Sequence, residues 1–477
     1  MTARTLTVEH VDPASLLIDI NVRTDTSLDK DFLASIRDLG VLVPIVAVRT
    51  EHGSLRVRYG HRRALAAVEA GHDLVPVVIT GDEDADEAAR IVSQWHENEY
   101  RAGLSTADKL AAVEQLSLLG LSPAQIVKRT KARKQDVAQA LAASASTLAK
   151  GAAERYEFLT LDQAAAVAEF ETDAAVVKAL VAAAQNGDGE FRHVLQRARD
   201  EREEAAQIAA LTEQFTTAGI RIIDQPDHGN DTMKALADLV TDKGDAIDAD
   251  RHTACPGHAV YLRRSWQGIE AVFVCDAWKA NGHRDGHRNR AATTPMDETA
   301  KAERREVIAR NKEWKSATVV RHEFLTTFLA RKTPPKGAAS YVATELALGS
   351  QPVRRAMERA HELAATLLGG DASHPRQAIT TLCANATDAR VQVITMGMVL
   401  GAVEDATDIH TWRNPSDTVK RYFAFLAANG YTLCEVEQIA AGTYKKPRRR
   451  TTRPDAARSD EQPSAPGTQP GQPEAAA

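Results

Sequence analysis

The sequence predicts an α+β N-terminal domain followed by mainly α-helical domains, and three observations carry that prediction. Short apolar or alternating runs punctuated by glycines fill residues 7–80, helical periodicity takes over from Ser105, and residues 219–290 turn β-like again. At 477 residues the chain exceeds what one hydrophobic core supports, so several domains are expected. We divide it into an α+β unit over 1–95, a helical unit over 96–150, a helical extension over 151–218, a small β-containing module over 219–290, a helical C-terminal domain over 291–442 and a tail over 443–477.

The elements follow in order. Asp29 to Leu39 reads as a helix stopped by Gly40. Val41 to Arg49 reads as a strand apolar enough to be buried on both faces, and Ser54 to Tyr59 as a second. A helix over Arg62 to Ala70 ends at Gly71, and Leu74 to Ile79 forms another strand. Ser105 and Asp108 mark a helix start, and Ser122-Pro123-Ala124-Gln125 marks a stronger one: a cap, proline in the first position and a capping box. Ala-rich helices continue through 150–218, and helix returns over 296–440. The tail beyond Tyr444 opens with Lys445-Lys446-Pro447-Arg448-Arg449-Arg450 and holds almost no large apolar side chains, so it is expected to be disordered.

Hydrophobic and charged fractions of 43% and 26% are those of a soluble globular protein, and no stretch approaches a membrane span. Four cysteines in so long a chain make no disulfide framework, which suits a reducing, cytoplasmic setting. The net charge of -6 gives no sign of nucleic-acid binding, but local clusters weigh more than the sum.

Gly60, Arg62 and Arg63 stand where a strand gives way to a helix. Backbone N–H groups and guanidinium forks there suit a phosphate. Glu97 and Asn98 offer oxygens suited to hydrated Mg²⁺, and Arg101 follows one helical turn later. Five basic residues in seven positions, Lys128, Arg129, Lys131, Arg133 and Lys134, border a helix-turn-helix pattern packed through Ile126, Val127 and Val137. Lys134, Gln135, Asp136 and Gln139 are the candidates for base contacts. Lys131 in the usual glycine position and Thr130 before it imply an irregular turn, near Thr130–Arg133. An ordinary αα-hairpin is the plainer alternative.

Val41-Leu-Val-Pro-Ile-Val-Ala-Val-Arg49, Gly60-His-Arg-Arg-Ala-Leu-Ala-Ala67 and Glu97-Asn-Glu-Tyr-Arg-Ala-Gly-Leu104 resemble the three signature boxes of the ParB family of DNA-partition proteins. The resemblance covers about residues 7–145. It implies a dimeric DNA clamp that binds CTP with Mg²⁺, recognises a centromere-like site and works with a ParA-like ATPase, at the nucleoid or on a plasmid. Under it, Gly40, Pro44 and Ile45 shape the cytidine side of the pocket. Gly60, His61, Arg62 and Arg63 meet the phosphates, while Glu97, Asn98 and Arg101 serve Mg²⁺ and the triphosphate, with Glu97 the candidate catalytic residue. The family's usual glutamate is replaced by His61, which favours CTP binding over hydrolysis. A transcription regulator using the same two modules is the alternative function. A sulfiredoxin-type enzyme needs a cysteine near Gly60, and none occurs before Cys255; a ParB-like nuclease stays open as an alternative, although the sequence shows no dense carboxylate cluster for two metals.

Cys255, His258, Cys275 and His283 give the spacing C-x2-H-x16-C-x7-H, suited to a tetrahedral structural Zn²⁺, with His252 and His287 as alternates. The plainer reading is a buried Cys pair beside a His-bearing loop. Cys383 and Cys434 read as small core residues.

Overall fold

The computed structural model describes residues 7–18, 28–50, 52–82, 87–101, 103–226, 231–265, 268–286 and 297–445, with only the backbone described at 81, 82, 100 and 101. His287 and the tail beyond Lys445, with the disorder expected of it, lie outside the described residues.

The first unit is built from β1 (Thr7–Val11), α1 (Lys30–Leu39), β2 (Ile45–Arg49), β3 (Leu55–Tyr59), α2 (His61–Ala70) and β4 (Val75–Asp82). The sheet runs β1-β4-β2-β3, with β2 parallel to β4 and the other pairs antiparallel. Ile45, Val57, Val77 and Ile79 pack from the sheet against Ile36 of α1 and Ala64 and Ala67 of α2. One boundary differs from the sequence reading. The strand expected from Val41 begins only at Ile45, and Leu42 and Val43 are 76% and 63% exposed. Gly40, at φ +70°, turns the chain out of α1, and Pro44 has no N–H to offer a ladder, so the apolar run splits into a loop and a strand.

Eight helices follow: α3 (Glu87–Arg101), α4 (Thr106–Leu118), α5 (Pro123–Thr130), α6 (Lys134–Ser144), α7 (Thr147–Arg155), α8 (Leu161–Ala168), α9 (Ala174–Asn186) and α10 (Asp188–Thr217). The expected caps of α4 and α5 are present as reciprocal capping boxes, Ser105 with Asp108 and Ser122 with Gln125. Ala88, Ile91 and Trp95 of α3 are buried with Leu110, Leu116, Ile126, Val137 and Phe191. The helix carrying Glu97 and Asn98 therefore shares a core with the helices after it, while the sheet keeps its own.

The third unit contains β5 (Arg221–Ile222), β6 (Met233–Ala235), β7 (Leu239–Val240), α11 (Ala249–His252), β8 (His258–Ser265), β9 (Gly268–Asp276) and β10 (Arg284–Asp285). Its sheets are ordered β5-β8-β9-β6 and β10-β7, around two small buried clusters.

The C-terminal unit is α12 (Glu298–Leu329), α13 (Ala338–Ala347), α14 (Gln351–Glu358), α15 (Glu362–Leu367), α16 (Pro375–Ala384), α17 (Asp388–Asp405), α18 (Asp417–Ala428) and α19 (Glu435–Ala441). These helices bury a large apolar core around α17, and within it lies an ion cluster. Arg321, fully buried, donates to Glu404 at 2.9–3.1 Å and to Glu437 at 2.7 Å, and Tyr422 and Tyr431 donate to the same two carboxylates at 2.8 Å. The observed architecture is α+β at the N-terminus and mainly helical beyond it, as the sequence predicts.

Candidate functional site

Gly60 closes β3 and opens α2 with φ +96°, a left-handed conformation that costs glycine little. No side chain caps this end, so the first-turn N–H groups of α2 define an anion-suited helix start. His61, the first helical residue, is buried. Arg62 reaches Asp29, Nη2 to Oδ2 at 2.9 Å, with its guanidinium 4.9 Å above the Phe32 ring. Asp29 also caps α1 by accepting from the Phe32 N–H at 2.6 Å. That backbone bond first, and Arg62 with it, hold the Asp29 carboxyl below its ordinary range. Arg63 turns the other way. Its Nη1 donates to the carbonyls of Val43 and Pro44, the latter at 2.9 Å, so it braces the loop entering β2. A Cβ at residue 60 would lie 3.0 Å from Arg63 Nη2, so glycine also leaves room for this return. Gly40 and Pro44 bound that loop, while Ile45 is wholly buried in the sheet.

Glu97 and Asn98 are half-buried on α3, and Arg101 is its last residue, with the side chain outside the described atoms. Sequence order places these residues after α2, but two separate cores carry the two groups. A cleft of about 230 Å³ lies between α3 and the α5–α6 turn, lined by His96, Glu99, Lys109, Thr130, Lys131 and Asp136. On its rim His96 Nε2 sits 2.9 Å from the Arg129 carbonyl, joining α3 directly to the last turn of α5.

The α5–α6 turn is tighter than its residues suggest. Thr130 is buried and donates to the Ile126 carbonyl at 2.7 Å while accepting from the Ala132 N–H at 3.3 Å. Lys131 then takes φ +57°, the conformation usually left to glycine. The expected irregularity is thus confined to one strained residue, and the threonine hydroxyl completes the hydrogen bonding. Lys128, Arg129, Lys131, Arg133, Lys134 and Gln135 are exposed, and Gln139 is half-buried. Arg133 is forked onto Asp136 at 2.8 and 2.9 Å, which raises the guanidinium's already high pKa.

In the β-containing module the structure brings together three of the four expected ligands. Cys255, Cys275 and His283 meet, but the fourth partner is His252, which the sequence offered only as an alternate. His258 opens β8 opposite Cys275, and its ring stacks on Phe273 at 5.7 Å, which turns it aside from the cluster. It meets His252 instead, Nδ1 to Nδ1 at 2.9 Å. Burial, then the adjacent His283 and His258, push His252 down to about 4, and burial pushes the Cys275 thiol up to about 11. Gly257 and Asn281 are contributors that spacing alone did not reveal. Asn281 Nδ2 donates to Cys275 Sγ at 3.4 Å, and a Cβ at 257 would stand 2.2 Å from the Asp276 carbonyl.

No family model matches the chain. Over 139 residues it is 28% identical to a protein of Treponema pallidum described as a probable chromosome-partitioning protein ParB, a stretch that is 28% of this chain. The chain spans 42% of the length of that curated relative. Solved structures to which it is similar include C-terminally truncated ParB of Caulobacter crescentus complexed to the centromeric parS site, at 20% identity and TM-score 0.28, over 40% of this chain and 98% of that one. The same protein complexed with CTP-gamma-S matches at 22% identity and TM-score 0.18, over 38% and 99%. The pNOB8-like ParB N-domain matches at 17% identity and TM-score 0.28, over 38% and 81%. In its N-terminal part this chain resembles the ParB family of DNA-partition proteins.

Proposed function

We propose that this protein is a CTP-dependent DNA-partition factor that works as a dimeric clamp on a centromere-like DNA site. The observation that carries the reading is the uncapped start of α2 at Gly60, with Arg62 and Arg63 in its first turn, in a chain whose next helices present an exposed basic edge. Phosphate would be met by the α2 N–H groups and by Arg62, released from an Asp29 pair that is exposed and worth little. Arg63 would keep the loop before β2 in place through the Val43 and Pro44 carbonyls. Glu97 and Asn98 would hold Mg²⁺ and Arg101 the triphosphate, so a nucleotide reached from both sides would tie the sheet unit to the helical unit. CTP is the base assignment that the resemblance implies. Buried His61 lacks the carboxylate that orients water, so binding rather than turnover is the expected state of this pocket.

DNA would be read by the α5–α6 pair as a helix-turn-helix. Lys128, Arg129 and Lys131 would neutralise phosphates, and Lys134, Gln135 and Gln139 would face bases. Dimerisation and a ParA-like ATPase partner belong to the same proposal, as does a nucleoid- or plasmid-bound location. As domains of this machine we propose the sheet unit ending before α3 and not at 95, one helical unit running on through 150 to about 218 because α3 and α4–α10 are buried in a single core, and the units bounded at 290 and 442.

The test is a titration of labelled CTP with Mg²⁺ against the full chain, with ATP and GTP as comparators, repeated with Arg62→Ala. A charge-assisted hydrogen bond to phosphate contributes about 1.5–3 kcal/mol, so the variant should bind roughly 10- to 100-fold more weakly. Equal affinity for all three nucleotides, or an Arg62→Ala chain that binds like the parent, overturns the reading.

A further inference from the structure

We propose that the β-containing module is closed by one structural Zn²⁺ held by His252, Cys255, Cys275 and His283, with His258 outside the coordination sphere. Geometry carries the assignment. One ligand atom from each of the four residues lies within 4.8 Å of all the others. The two sulfurs are 3.8 Å apart, Cys255 Sγ is 3.6 Å from His283 Nε2, and His252 Nε2 is 3.1 Å from His283 Nε2. A tetrahedron with Zn–S near 2.3 Å and Zn–N near 2.05 Å has edges of about 3.8, 3.6 and 3.3 Å for those pairs. The sulfurs are not bonded to each other, and two thiolates with two imidazoles favour zinc over the hard cations.

The surroundings are built for it. His252 would coordinate through Nε2 while its Nδ1–H donates to His258 Nδ1, the outer hydrogen bond that fixes the orientation of a metal-bound imidazole. Asn281 donates to the Cys275 sulfur and to the Asp276 carbonyl at 2.9 Å. Gly257 lets the Cys255–His258 turn, closed by a 3.0 Å bond from the His258 N–H to the Cys255 carbonyl, press against the end of β9. Four protein ligands leave no open position, so the ion's role is structural and not catalytic.

The module also needs such a staple. Beyond buried Val260 and the Phe273 ring set against Phe215 of α10, its buried apolar residues form two small clusters, Leu236, Leu239, Cys275 and Trp278 in one, Ala259, Tyr261 and Val274 in the other. So few side chains do not hold short strands together against chain entropy. The four ligands come from α11, the residues after it, the end of β9 and the loop before β10, so one ion would tie these separate segments together.

Elemental analysis of the full chain purified without added metal should give about one zinc per chain, and Cys275→Ser should lose it. Co²⁺ exchanged into the parent should give the intense visible bands of a tetrahedral thiolate site, a readout independent of whether a variant folds. His252→Ala should bind zinc at least tenfold more weakly, whereas His258→Ala should retain one equivalent. Folded, metal-free parent protein, a Cys255–Cys275 disulfide, or an octahedral Co²⁺ spectrum overturns the site. Zinc lost from His258→Ala but kept in His252→Ala overturns the ligand set.

Discussion

Replacing Arg321 by alanine should open the C-terminal helical unit while leaving the N-terminal sheet intact. Arg321 is fully buried and forks onto Glu404 while a third nitrogen reaches Glu437, contacts that link α12, α17 and α19. Removing the guanidinium leaves two carboxylates without their main countercharge in an apolar core. Breaking a buried pair in this way costs about 3–5 kcal/mol. The pH dependence gives the sign of the same coupling. Burial raises the Glu404 carboxyl, but Arg321, with His322 at 3.1 Å, outweighs that and holds it at about 2 against an ordinary 4.5. A depressed folded-state value stabilises the fold above about 4.5, and that contribution is lost as pH falls toward 2. Amide hydrogen exchange at neutral pH should therefore speed up on the order of 10²- to 10³-fold in α12, α17 and α19 of Arg321→Ala, with β2 and β4 unchanged. Replacing Arg321, Glu404 and Glu437 together by Met, Gln and Gln should recover much of the protection. Exchange in Arg321→Ala within about fivefold of the parent, a change near 1 kcal/mol, would refute the view that this cluster holds the unit together.

Three further outcomes are expected. Lys131→Gly relieves a left-handed lysine, so thermal unfolding of the α3–α10 unit should shift upward by the equivalent of about 0.5–1 kcal/mol, while the salt dependence of DNA binding should lose about one phosphate contact. Gly60→Ala forces φ +96° on a Cβ set 3.0 Å from Arg63, so it should cost about 1–2 kcal/mol in denaturant unfolding and weaken CTP binding. Gly257→Ala drives a Cβ to 2.2 Å from the Asp276 carbonyl and 2.7 Å from Cys275 Sγ, and elemental analysis should find its zinc lost while the circular dichroism of the helical units persists.

What the sequence disclosed was local. The starts at Ser105 and Ser122 were legible because a capping box is written within four residues, and the stops at Gly40 and Gly71 because a left-handed residue suits glycine. The strand over Val41–Pro44 was overread because hydrophobicity alone does not separate a buried strand from an exposed apolar loop. His258 was preferred to His252 for the same kind of reason. Spacing counts residues, whereas the Gly257 turn and the Phe273 stack decide which ring faces the cysteines. The Arg321 cluster was out of reach, since its partners stand 83 and 116 residues away and each reads alone as a helix-surface charge.

The allegiance of α3 bears most on function. The sequence placed Glu97 and Asn98 beside the α2 arginines as one site, yet Ile91 and Trp95 bury α3 against the helices that carry the basic edge. His96, one residue before Glu97, meets the carbonyl of Arg129, one residue before the end of α5. A ligand drawing Glu97 and Asn98 toward α2 would therefore pull on a helix packed against the α5–α6 pair. Nucleotide binding and DNA binding would then be coupled through shared packing, without a dedicated hinge. If so, His96→Ala should lower the effect of CTP on DNA affinity more than it lowers either affinity measured alone. Unchanged coupling in a double titration would assign the link to other contacts.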